Sequence, residues 1–125
     1  MGVVHHSNYI RWFEEARVDF MERLGFGYAK LTGLGIDIAV TDVSCAYRSM
    51  TRFGDTSHIR LRIAALSPAR MTVQYEITDA ATGALRASGE TRHGFLGGPD
   101  KHPVALKKAC PELYGLFARE AEPSS

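Results

Sequence analysis

The hydrophobic period of this 125-residue chain changes once, at Gly35, and that change limits the fold it can adopt. Before it, Ile10, Phe13, Arg17, Phe20, Met21 and Leu24 recur at three- and four-residue steps, with Tyr9, Trp12 and Ala16 widening the stripe. That spacing predicts one long helix from Ser7, capped by Ser7 or Asn8, stopped at Gly25 and Gly27, with a further turn over Tyr28 to Leu31. So little polar face remains that burial on more than one side is expected. After Gly35 the period is two. Ile36, Ile38 and Val40 alternate with Asp37 and Ala39, and the run continues through Val43, Cys45 and Tyr47. Ile59, Leu61, Ile63 and Ala65 form a second alternating run, ended by Ser67-Pro68. Met71, Val73, Tyr75 and Ile77 form a third, and Leu85, Ala87, Thr91, His93 and Phe95 a fourth. The DAATG stretch between the last two has the length and chemistry of a hairpin loop. An amphipathic segment from Val104 to Phe117 precedes a polar end, 120–125, expected to be loose.

One helix followed by about four antiparallel strands is an α+β layout in which a curved sheet wraps the helix, within a single domain spanning 1–125. Four strands make a small sheet for so apolar a helix, and pairing of two subunits would complete its burial. The formal net charge of +1 gives no electrostatic footprint for nucleic acid. No apolar run reaches the roughly 18 residues of a membrane span, and the first residues lack the pattern of a signal peptide. Cys45 and Cys110 form no CxxC pair, which fits thiols in a reducing compartment, so a cytoplasmic location is expected.

The segment GVVHHSNYIRWFEEAR, residues 2–17, leads an extended stretch into a helix start. Free N–H groups and the positive end of the helix dipole can polarise a carbonyl there, although His5, His6 and Ser7 can equally serve only as caps. This segment resembles the signature of the hotdog-fold acyl-CoA thioesterases of the 4-hydroxybenzoyl-CoA thioesterase and YbgC-like branch. RFGD, Arg52 to Asp55, and GETRHGFL, Gly89 to Leu96, resemble later segments of that family in the right order. The resemblance implies a hotdog fold, a homodimer or homotetramer with active sites between subunits, and hydrolysis of an acyl-CoA without metal or organic cofactor. An acyl carrier protein stays open as a partner.

One departure accompanies the matches. The family carries a catalytic aspartate three residues before the motif glycine, at the end of a first strand. Gly2 follows Met1 directly, so that position falls ahead of the 125 residues. A misassigned start or loss of the first strand is expected, leaving this chain weakly active or inactive. The resemblance makes His6 the backbone N–H donor to the thioester carbonyl, with a possible side-chain role. Val4, His5, Asn8, Tyr9, Arg48 and Arg52 are substrate-binding candidates. Tyr9 lines the acyl pocket or packs in the core, and Asn8 also reads as a cap. Arg92 and Lys101 join Arg48 and Arg52 as candidates for the phosphates of coenzyme A, against a plain reading as solvated charges. Glu14 or Glu15 could replace the missing base, but two turns into the helix a solvated role is favoured. His93 reads as a core histidine. A metal site from His5, His6, His58 and His102 lacks ligand spacing. The alternative function is a non-catalytic acyl-CoA-binding or regulatory domain, and a hydratase ranks behind it for want of an aspartate-histidine pair.

Overall fold

In the computed structural model the backbone is described for residues 6–47 and 57–121, and side chains for 11–46 and 57–121. Helix α1 (His6–Arg23) is followed by α2 (Tyr28–Leu34), then strands β1 (Ile36–Tyr47), β2 (Ser57–Ser67), β3 (Arg70–Asp79) and β4 (Leu85–Gly97). A two-residue strand β5 (His102–Pro103) and helices α3 (Leu106–Ala109) and α4 (Pro111–Ala121) complete the order. The long helix and the four alternating runs fall where the change of period puts them. Gly35 makes the transition: its left-handed backbone (φ 74°) closes α2 through N–H bonds to the Leu31 and Thr32 carbonyls and turns the chain into β1.

All pairings are antiparallel, in the order β1-β4-β3-β2, with β5 added to the end of β4. The β3–β4 hairpin is held at its loop by Asp79. Its Oδ1 accepts the Ala81 and Thr82 N–H groups, and its Oδ2 pairs with Arg86 at 2.8 Å. These contacts hold the Asp79 carboxyl down to about 2, the Arg86 bond being the largest influence.

The inner face of the sheet follows the alternation read from sequence, with Met71, Val73, Tyr75 and Ile77 of β3 buried against Ala87, Thr91, His93 and Phe95 of β4. Phe13 of α1 reaches this face and stacks on Tyr75, ring centroids 4.5 Å apart. Gly89 permits that approach. A Cβ there would run into the Phe13 ring and stand 2.9 Å from the Ser44 carbonyl oxygen. Helix α4 packs on β2, and its Phe117 stacks with Phe20 of α1.

Two expectations are corrected. On β2 a bulge between Ile63 and Ala65 shifts the alternation, so Ala65 is exposed and Leu66 takes the inner position opposite Met71. The segment after Val104 is two helices broken at Cys110, with β5 before them: proline at 111 starts a new helix more readily than it continues an old one. Burial of α1 within one chain is uneven. Phe13 is fully buried, while Val18 is 62% exposed, because the sheet curves around only the face carrying Phe13, Arg17 and Phe20.

Gly89→Ala is expected to lower stability by about 2 kcal/mol in a urea titration, because the added methyl overpacks the Phe13 ring site.

Candidate functional site

A cavity of about 410 Å³ lies between α1 and the inner face of the sheet, within the range of small-molecule pockets. Its apolar wall includes Phe20 and Met21 of α1, Leu31 of α2, Ile36 and Ile38 of β1, Leu61 of β2, and Met71 and Val73 of β3. Glu14, Arg17, Asp37 and His93 supply its charged and polar groups. From Glu14 to Met21 the cavity follows α1 for about 10 Å, two helical turns. The chain thus has an apolar slot running along the helix whose first turn opens at His6.

Arg17 and His93 belong to a hydrogen-bonded chain through the core. Arg17 Nη1 donates to Tyr75 Oη at 3.0 Å, Tyr75 Oη lies 2.8 Å from Thr91 Oγ1, and Thr91 Oγ1 lies 2.7 Å from His93 Nε2. A guanidinium only donates, so Tyr75 accepts from Arg17; either hydroxyl of the Tyr75–Thr91 pair can donate, and the Thr91–His93 direction follows the tautomer of the ring. His93 Nδ1 is left without a hydrogen-bond partner of full geometry. The Ala39 backbone lies on that side and favours the charged ring slightly, but closes no hydrogen bond of full geometry. Burial, reinforced by the Arg17 charge, pushes the His93 ring down to about 4, so it is neutral near pH 7. Burial likewise raises the Tyr75 hydroxyl, against the opposing pull of Arg17 and Thr91.

This chain escaped the reading of motifs. Its signal was available: Arg17 stands in the apolar period of α1, and Thr91 and His93 in that of β4. His93 is the core histidine expected, though only one of its nitrogens is satisfied.

His6, Asn8 and Tyr9 lie on the first turns of α1, which carry no acidic residue, and their side chains are outside the described residues. Val4, His5, Arg48 and Arg52 also lie outside the described residues. Glu14 is at the cavity and exposed, whereas Glu15 belongs to a separate groove with Trp12 and His58. Arg92 sits on the outer face of the sheet, 3.5 Å from Glu90, and Lys101 pairs with Asp37 at 3.2 Å. The structure does not bring these two cations to His93 or into the cavity wall. Among the described residues no three His, Cys, Asp or Glu side chains group as a metal site, and His102 pairs with Asp100. Both cysteines are free thiols. No described helix is long and apolar enough to cross a membrane.

The depressed His93 pKa favours the folded state above the ordinary histidine value of 6.5, and this contribution is lost as pH falls from 6.5 to about 4. The Asp79 contribution is lost only below 3.8, towards 2. Melting temperatures at pH 7 and pH 4.5 are expected to show a clear drop for the wild type and a smaller one for His93→Leu.

Residues 1–111 match the Thioesterase-like superfamily. A protein assigned as an esterase in Aquifex aeolicus (strain VF5) is 33% identical over 92 residues, 74% of this chain and 70% of that protein. One assigned as an acyl-CoA thioesterase in Bacillus subtilis (strain 168) is 25% identical over 119 residues, 95% of this chain and 86% of the relative. The crystal structure of DHNA-CoA thioesterase from Staphylococcus aureus superposes with a TM-score of 0.86 at 29% identity, covering 95% of this chain and 79% of that one. The α+β arrangement of a long helix against a curved antiparallel sheet is the hotdog fold, and the chain belongs to the Thioesterase-like superfamily.

Proposed function

We propose that this protein hydrolyses an acyl-CoA thioester to a free acid and coenzyme A. The observation that carries the reading is the apolar cavity along α1 in a chain of this superfamily. It offers an acyl group about 410 Å³ beside the helix whose amino end begins at His6. The acyl group lies among Phe20, Met21, Leu61 and Met71, with its carbonyl oxygen at the first turn of α1. There the His6 N–H and the helix dipole stabilise the negative charge that develops on that oxygen. Val4, His5, Asn8 and Tyr9 flank the thioester, and Arg48 and Arg52 meet the phosphates of coenzyme A.

Water adds to the carbonyl carbon, the carbon–sulfur bond breaks, and the thiolate leaves and takes up a proton. A carboxylate must attack the carbonyl itself or take the proton of that water. The resemblance puts this carboxylate ahead of Gly2, on the strand that leads into the motif. Removing such a group costs more than the 100- to 1000-fold typical of one oxyanion donor. The protein acts in the cytoplasm as a pair of subunits or a pair of such pairs. Val40 and Val43, 46% and 44% exposed on the edge strand β1, favour a second copy there.

Thiol release from benzoyl-, acetyl- and hexanoyl-CoA tests the reading. The 125-residue chain is expected to be at least 100-fold slower than one extended upstream through an in-frame aspartate, and replacement of that aspartate by asparagine should abolish the difference. If both chains bind acyl-CoA and neither releases thiol, the protein is a binding domain. A light-scattering mass of a single chain would remove the subunit pairing.

A further inference from the structure

On the wall of the cavity, Arg17 carries a charge that no carboxylate among the described residues neutralises. It stands midway along α1, in the stripe of Phe13 and Phe20, half-buried where the wall around it is apolar. Its Nη1 donates to the neutral Tyr75 hydroxyl at 3.0 Å, and the other N–H groups of the guanidinium make no hydrogen bond with a described residue. The two carboxylates at the cavity do not serve it. Asp37 pairs with Lys101 at 3.2 Å, and Glu14 is exposed and forms no ion pair with it. By contrast Arg23, Arg86 and Arg92 each have a carboxylate in reach, at 3.1, 2.8 and 3.5 Å. A guanidinium held partly out of water is normally paired, because it loses solvation and gains attraction only from an opposite charge.

We propose that Arg17 makes the cavity a binding site for a free monocarboxylic acid: the carboxylate pairs with the guanidinium, and the hydrocarbon body lies against Phe20, Met21, Leu61 and Met71. The ligand class follows from two features found together. The planar fork of a guanidinium matches the two oxygens of a carboxylate, and the apolar walls reward a hydrocarbon body that a small hydrated anion lacks. About 410 Å³ is room for one such molecule. The bond to Tyr75 holds the guanidinium against the wall, so little side-chain freedom is lost when the acid arrives. The inference goes beyond the acyl-CoA reading and stands without it. It needs neither coenzyme A nor the first turn of α1, since Arg17 lies about 16 Å along the helix from His6. Free acids are also the class of product that thioester hydrolysis releases.

Titration calorimetry of the 125-residue chain with hexanoate, hexanamide and acetate near pH 7 tests it. Hexanoate is expected to bind about tenfold more tightly than hexanamide, which keeps the chain length and loses the charge. It should also bind at least about 30-fold more tightly than acetate, which keeps the charge and loses most of the hydrocarbon. In Arg17→Met the ratio of hexanoate to hexanamide should fall to about one. Tyr75→Phe removes the same hydrogen bond but keeps the charge, and should retain most of the preference. Proton–nitrogen NMR of the arginine side chains reads the folded wild type directly: the Arg17 Nε signal should move with hexanoate and stay with hexanamide. Equal affinity for hexanoate and hexanamide, or an unmoved Nε signal, overturns the inference. So does acetate binding as tightly as hexanoate, which would mark a bare ion pair at the surface, or a preference that survives in Arg17→Met. Failure of hexanoate to bind overturns it as well and leaves the acyl-CoA reading standing, since thiol release decides that reading.

Discussion

The stack of Phe13 on Tyr75 is the contact on which the rest of the molecule depends. A helix that lays a ring on a strand tyrosine, with centroids 4.5 Å apart, needs a strand position without a side chain, and Gly89 supplies it. The same closeness brings Arg17, one turn further along α1, within hydrogen-bonding distance of the Tyr75 hydroxyl. Packing and polar order are therefore coupled: the aromatic contact that buries the helix also delivers the cation that orients Tyr75, Thr91 and His93. Replacing only the apolar partner would leave a buried phenol, hydroxyl and imidazole without their organising donor.

Beyond that contact the helix and sheet diverge, and the space between them is the cavity. Phe20 and Met21 on one side, and Leu61, Met71 and Val73 on the other, keep it apolar, while Arg17 and His93 stand in the same wall. A charged guanidinium in such a place is stabilised because it is half-buried and hydrogen-bonded to Tyr75. Its charge also adds to the burial that keeps His93 neutral.

The fold was legible because it depends on period and punctuation. Helix α1 and the four long strands follow from the spacing of apolar side chains, and Gly35 and the Asp79–Gly83 loop mark the changes of direction. The bulge on β2 was not legible, since Ala64 and Ala65 are small enough to sit on either face, and only the pairing with β3 decides which one is skipped. The polar chain was half legible: Arg17, Thr91 and His93 each interrupt an apolar face, but their union needs the register in which Tyr75 and Thr91 meet across β3 and β4. The motif at 2–17 carried the resemblance to the family, while the side chains proposed to carry its chemistry lie outside the described residues.

The measurement that bears most directly on the function is a crystal structure of the 125-residue chain with a thioether analogue of benzoyl-CoA, which binds but has no thioester to hydrolyse. The aromatic ring is expected between α1 and the sheet, against Phe20, Leu61 and Met71, with the atoms replacing the thioester at the first turn of α1. A ring bound anywhere else, with that cavity unchanged, would contradict the assignment of the cavity to the acyl group.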